Sequence, residues 1–390
     1  MSLVDTIKSV LGADPLERAD ADVHEVLDVL ARLGPTPIET LDAASARRQP
    51  SIVDAAREVA GARRREPAFA DIETKDVTYA GAAGNVPARL YLPATSDTSR
   101  RPAILYFHGG GWVIADVDTY DASARALAGL TGALVVSAHY RQAPEHPFPA
   151  AHDDALAAYR WLIDEAAVLN VDSARVVVAG ESAGGNLAAN VALEAPGRGL
   201  PAPVCQLLIY PVAGTSVSTL SYEENRSAKP LNKAMMSWFM EKALARPEDK
   251  DSPRLNLYDR DLHGAPPTIL ITAGIDPLRG DGEKLADALR AAGTFVDYRN
   301  YAGSTHEFFG LDNAIVSARE AQAFAANALQ RYIGKPPEAS VGTTTDSESM
   351  TDATAVTNSS QTPQTTADTP AGNRSTLDAD TGTPGDTPLV

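Results

Sequence analysis

This 390-residue chain has a single cysteine, Cys205, so it can form neither an intramolecular disulfide nor a multi-cysteine metal site. Its setting, PVCQLLIYP, is apolar, and the thiol reads as buried and structural. Long apolar runs are also missing, and none is long enough to span a bilayer. The opening MSLVDTIKSVLGADP places Asp5 and Lys8 where the apolar core of a secretion signal would run, so no signal peptide is expected. Positive charge is scarce: 34 Lys and Arg stand against 51 Asp and Glu, for a formal net charge of -17. That argues against a nucleic-acid partner, which needs a concentrated positive face, and it disfavours adsorption to anionic membranes. The expectation is a soluble cytoplasmic protein with a small-molecule substrate and neither a nucleic-acid nor a membrane partner. Nothing here separates a monomer from a homodimer.

What is present falls into three zones. Residues 1–66 are rich in Ala, Leu, Arg and acidic residues, and stretches such as ADVHEVLDVLARLG show apolar residues at helical spacing with Gly34 as a stop. Residues 67–334 alternate short strand-like runs with helical ones. The strand candidates are DVTYAG, PARLYLPA, PAILYFH, ALVVSAHYR, ARVVVAG, VCQLLIYP, TILITAG and TFVDYRNYAG. The later ones are almost wholly apolar, as strands covered on both faces must be. A mainly parallel sheet with helices on both faces follows. The alternation lapses across residues 212–263, which hold turn-rich sequence and the helix LNKAMMSWFMEKAL, and this interval reads as an insertion above the sheet. Residues 335–390 are Thr, Ser, Asp, Pro and Gly with no aromatic residue, and are expected to be disordered for want of apolar surface to bury.

Gly180-Glu181-Ser182-Ala183-Gly184 follows one apolar run directly and opens a helical one. Small residues around Ser182 permit a sharp strand-to-helix turn that lifts the hydroxyl above the sheet edge. The alternative is a tight turn without chemistry. A serine hydroxyl needs a base, and of seven histidines His306 alone follows the last strand and precedes the closing helix. His24 lies among the N-terminal helices, and His152 at a helix start reads as a surface or capping residue. His139 and His146 read as structural. The base needs an acid, and Asp276 ends a strand just before a helix. Asp281 competes, but its place in a first helical turn has a simpler electrostatic explanation. No histidine and carboxylate cluster reads as a metal site, and no cofactor is called for. Gly109-Gly110-Gly111, between His108 and Trp112, would give a bare backbone whose N–H groups can meet a negative oxygen, together with that of Ala183. His108 reads as an anchor for that loop.

The runs HGGGWV, YRQAPEHPFPAAHDDALAAYRWL, GESAGGNLAA, LLIYP, DPLRGDG and HEFFGL, in that order, resemble the hormone-sensitive-lipase-like esterases, the bacterial family IV carboxylesterases. The resemblance spans about Pro67 to Gly334. It implies an α/β-hydrolase fold with a helical cap made of residues 1–66 and the insertion at 212–263. It also implies a nucleophile at Ser182, an acid at Asp276, a base at His306 and an oxyanion loop at Gly109 to Gly111. The implied activity is hydrolysis of short- to medium-chain carboxylic esters through an acyl-enzyme. The same residues would also serve an amidase, lactonase or carbamate hydrolase. Non-catalytic binding members of the fold have lost the base, which is present here. Two residues depart from the pattern: Glu181 stands where Asp is frequent, and Glu307 replaces a usual Gly beside the base. On the cap helix, Met235 and Phe239, with Trp238 close by and Trp112 beside the glycines, are expected to roof an apolar substrate pocket.

Overall fold

Ile104 to Phe107 and Val176 to Ala179 contain no charged side chain and every one of these residues is buried, so both runs need cover on two faces. They belong to the centre of an eight-stranded sheet, seen here in a computed structural model that describes residues 14–95 and 99–334. The strands are β1 Glu73–Gly81, β2 Gly84–Leu92, β3 Arg101–Phe107, β4 Leu134–Ala138, β5 Val171–Glu181, β6 Cys205–Ile209, β7 Thr268–Ile275 and β8 Val296–Thr305. Their order is β1-β2-β4-β3-β5-β6-β7-β8. β2 runs antiparallel to both its neighbours, and every pairing from β4 to β8 is parallel.

Among the described residues, eight longer helices accompany the sheet: α1 Ala21–Leu33, α2 Ile52–Ala62, α3 Asp121–Thr131, α4 Ala150–Asp164, α5 Ala183–Glu194, α6 Lys233–Ala243, α7 Arg279–Ala291 and α8 Val316–Ile333. The two-residue period of the strands divides the interior. Leu105, Phe107, Val178, Leu208 and Leu270 join a core with residues of α4, α5, α6 and α7. Their neighbours Ile104, Tyr106, Val177, Leu207 and Ile269 join a second core with α1, α2, α3 and α8. The sheet is therefore sandwiched, with the expected helices on both faces.

The segment between β6 and β7 contains a short helix, Leu220–Glu224, and α6, but no strand. It touches the N-terminal segment at two places. The Trp238 indole N–H donates to the Leu41 carbonyl at 3.0 Å, and the Arg18 guanidinium donates to Asn225 Oδ1 at 2.6 Å. In α7, Asp281 corrects the sequence reading. It does lie in the first turn of α7, yet it is fully buried and accepts the N–H groups of Ala213 and Gly214 at 3.2 and 3.1 Å. Burial pushes its carboxyl up to about 7. The residue anchors the start of the insertion rather than balancing a helix end. No helix among the described residues is long and apolar enough to cross a membrane. The expectation for residues 335–390 lies outside the described residues.

Candidate active site

β5, β7 and β8 are parallel, so their carboxyl ends open on one edge of the sheet, where ligands of open α/β sheets bind. Ser182 follows β5 directly and is the N-cap of α5, with φ 56° and ψ -118°. So sharp a reversal needs bare neighbours. A Cβ on Gly180 would lie 2.2 Å from the Gly184 carbonyl oxygen, and one on Gly184 would lie 2.1 Å from that of Phe107. The G-x-S-x-G spacing thus reflects close backbone approach on both sides of a strained serine. The Ser182 N–H donates to the Ile209 carbonyl at 2.9 Å, fixing the turn to β6.

His306 comes just after β8, and its Nε2 is 3.0 Å from Ser182 Oγ. Its Nδ1 is 2.7 Å from Asp276 Oδ2, in the loop after β7. Asp276 is fully buried and immobilised: its other oxygen accepts the Leu278 N–H at 2.8 Å, and its carbonyl accepts Asn225 Nδ2 at 3.0 Å. The three residues read from sequence are therefore in one hydrogen-bonded line. Burial opposes a proton on His306. Asp276, then Glu307 and Glu181, outweigh it and hold the imidazole pKa above its ordinary value.

The glycine loop owes its shape to what holds its carbonyls. The Tyr140 hydroxyl donates to the carbonyls of His108 and Gly109 at 2.9 and 3.1 Å. The Gly110 carbonyl accepts the N–H groups of Val113 and Ile114, and that of Trp112 accepts the Ala143 N–H. Gln142 Nε2 spans the carbonyls of Ile114 and Ala115, and Arg47 Nε holds that of Val113. With the acceptors tied back, the N–H groups of Gly110, Gly111 and Ala183 meet no acceptor among the described residues. Gly111 has φ +60°, and a Cβ there would lie 2.2 Å from the Phe239 ring. Gly109 differs: it is absent from the cavity wall, and a Cβ on it would strike the Tyr120 hydroxyl at 2.3 Å.

Above the line lies a cavity of about 570 Å³, whose wall includes Ser182, His306, Gly110, Gly111 and Trp112. Leu27, Leu30, Ile38 and Ile52 come from the N-terminal segment, and Met235, Met236, Phe239 and Met240 from α6. Trp238 departs from expectation. It does not line the cavity, because helix rotation turns it toward Leu41. His152 needs correction too. It is buried, not superficial, and its Nε2 bonds Asn186 Oδ1 at 2.9 Å, while burial pushes its pKa down to about 4.

Glu181 and Glu307, the two departures seen in the sequence, both act on His306, while the tyrosines that hold them escaped the sequence reading. Glu181 Oε1 accepts the Tyr106 hydroxyl at 2.6 Å and Oε2 accepts that of Tyr210. The Tyr210 ring lies 4.6 Å from the imidazole. The signal was available: a glutamate ending an apolar strand needs buried donors, and tyrosines stand on or just beyond both neighbouring strands. Glu307 accepts the Tyr120 hydroxyl at 3.2 Å.

A family model described as the alpha/beta hydrolase fold matches residues 104–310. Carboxylesterase NlhH of Mycobacterium tuberculosis is 39% identical over 266 residues, covering 67% of this chain and 83% of that relative. Ethyl acetate hydrolase of Pseudomonas putida is 33% identical over 302 residues, covering 76% and 92%. Among solved structures, the thermostable carboxylesterase EstE1 from a metagenomic library superimposes with a TM-score of 0.70 at 36% identity, covering 76% of this chain and 99% of that one. An alpha/beta hydrolase from the metagenome of Lake Arreo gives a TM-score of 0.74 at 34% identity, covering 82% and 100%.

Proposed function

This chain belongs to the α/β-hydrolase fold family, in its hormone-sensitive-lipase-like carboxylesterase branch, and we propose that Ser182, His306 and Asp276 carry out its ester hydrolysis through an acyl-enzyme. The observation that carries the reading is the line from Ser182 Oγ through His306 to Asp276, at 3.0 and 2.7 Å, on the floor of a cavity with both apolar and charged walls. His306 Nε2 takes the hydroxyl proton as Oγ attacks the carbonyl carbon. Asp276 holds the tautomer with hydrogen on Nδ1 and stabilises the imidazolium that forms. The carbonyl oxygen gains negative charge and is met by the N–H groups of Gly110, Gly111 and Ala183. The imidazolium then gives its proton to the departing alcohol, and water repeats the sequence on the acyl-enzyme. Gly109 supports the loop from behind.

The substrates we assign are esters with short to medium acyl chains. Each methylene buried against Met236, Phe239 or Ile38 contributes about 0.8 kcal/mol until the pocket is full. We further assign the enzyme to the cytoplasm, a reading supported by its acidic, anchor-free sequence. The test is kcat/KM for p-nitrophenyl esters from acetate to palmitate, with Ser182→Ala as control. The expected profile peaks below the long chains and vanishes in the control. A steady rise to palmitate with activation at an oil interface would make this a lipase, and activity surviving in the control would remove the nucleophile.

A further inference from the structure

Glu307 has the left-handed backbone angles φ 64° and ψ 11°, which glycine adopts without strain and glutamate does not. The residue is half-buried and forms part of the cavity wall beside His306 and Ser182. Its carboxylate offers roughly four acceptor positions. One hydrogen bond is found among the described residues, from the Tyr120 hydroxyl to Oε1 at 3.2 Å. A strained carboxylate in the wall of the substrate cavity is placed to meet a charged group bound there.

The rest of the wall favours a cation there. Arg47 is engaged by Glu145 and by the carbonyls of Val113 and Ala143. Arg57 is paired with Asp54 at 3.5 Å. Glu39, also in the wall, has a buried Oε2 with no hydrogen-bond partner. Lys229 is a lining cation, but it is exposed.

We propose that Glu307 is a specificity residue that selects esters carrying a cationic group close to the scissile bond, such as those of amino or quaternary ammonium alcohols. The proposal rests on the esterase reading above and narrows its substrate class. The cation completes the free side of the carboxylate while the ester carbonyl occupies the site of Ser182 and the glycine loop. Esters bearing an anion meet the same carboxylate as repulsion. Tyr120 keeps its bond to Oε1 and aims the group. Burial raises the Glu307 carboxyl above its usual range, and a bound cation draws it back toward the ionised form.

The test compares two acetates of matched shape, acetylcholine and its uncharged carbon isostere 3,3-dimethylbutyl acetate. The wild type is expected to favour the cationic ester by about tenfold in kcat/KM at pH 8, a factor that one partly screened charge pair supplies. Glu307→Gln should bring the ratio near one, and a general loss of turnover cancels in the ratio. Glu307→Gly, which suits the left-handed backbone, should do the same and guards against misfolding of the first variant. In the wild type the ratio should fall as pH is lowered and the carboxyl takes a proton, since the choline charge does not titrate. A wild-type ratio near one, or a preference that survives both variants, overturns the proposal. The esterase reading is judged separately, by hydrolysis of the neutral ester and its loss in Ser182→Ala. Failure to hydrolyse either ester removes both.

Discussion

Two buried imidazoles lie on opposite sides of β5 in the strand order, and they meet opposite fates. His108, after β3, is stacked on Tyr140 at 4.5 Å and on His139 at 5.1 Å. Its Nδ1 is 2.8 Å from the Gly109 carbonyl and its Nε2 2.9 Å from His139 Nδ1. Burial and the neighbouring His139 push its pKa down to about 3. His306, after β8, is just as enclosed, yet its pKa is raised. The difference is the company kept. Asp276, Glu307 and Glu181 surround one ring; aromatic rings enclose the other, where the pull of Asp116 does not offset burial and His139. Uncompensated burial makes a histidine an inert spacer, and a hydrogen-bonded buried carboxylate turns it into a base. One cluster holds the glycine loop, and the other is placed to move protons.

The largest expected effect tests that division directly. His306→Ala or Ser182→Ala should lower kcat by roughly 10⁴–10⁶, and Asp276→Asn by about 10⁴ through the wrong tautomer. His108→Phe keeps the stack on Tyr140 and should cost no more than about tenfold, the order of a disturbed rather than missing oxyanion donor. Equal losses in His108→Phe and His306→Ala, measured on one ester, would erase the distinction.

Next comes the loop that the His108 cluster supports. Gly111→Ala places a Cβ against Phe239 in a left-handed backbone, and kcat should fall about 10²–10³-fold. Adding Phe239→Ala relieves the contact but not the backbone. Recovery in the double variant would assign the loss to the clash, and no recovery would assign it to the N–H geometry.

Charge around His306 can be trimmed without removing it. Neutral imidazole is the active form, so kcat/KM falls as pH drops through a His306 pKa held above the ordinary histidine value. Glu307→Gln removes one of the groups that raise it, and the acidic limb should move to lower pH. A limb that stays in place would mean that Asp276 and Glu181 alone set the base.

The smallest effect concerns stability, where a carboxylate mirrors His108. The Asp281 pKa is about 7 in the folded chain and near the ordinary aspartate value of 3.8 when unfolded. Its folded pKa is raised, so the folded state binds the extra proton between those values. Stability is then fully present below about pH 4 and is lost as pH rises toward 7, by up to a few kcal/mol. Asp281→Asn should flatten that slope in thermal melts across the window. An unchanged slope would remove Asp281 as its source.

Much of this site could be read along the chain, because its requirements are local. A strand, a bare-backboned turn and a helix are written in the contiguous run VVVAGESAGGNLAA, and the structure bends there because no Cβ fits at Gly180 or Gly184. The order of Ser182, Asp276 and His306 at three strand ends was legible for the same reason. The misread residues all depend on partners far away in sequence. Trp238 was expected over the substrate, but the rotation of α6 sends its indole to Leu41, 197 residues away. His152 stands at a helix start that looks superficial until Asn186 and the wall of α5 cover it.

Sequence by itself determined where the strands end and which side chains stand at those ends, since strand period, glycine placement and turn chemistry act over a few residues. Only the tertiary structure decided how those side chains behave. Protonation depends on burial and on charges within a few ångströms, and chain folding alone brings Asp276, Glu181 and Glu307 around one imidazole while leaving His108 among aromatic rings, with Asp116 too weak to offset its burial.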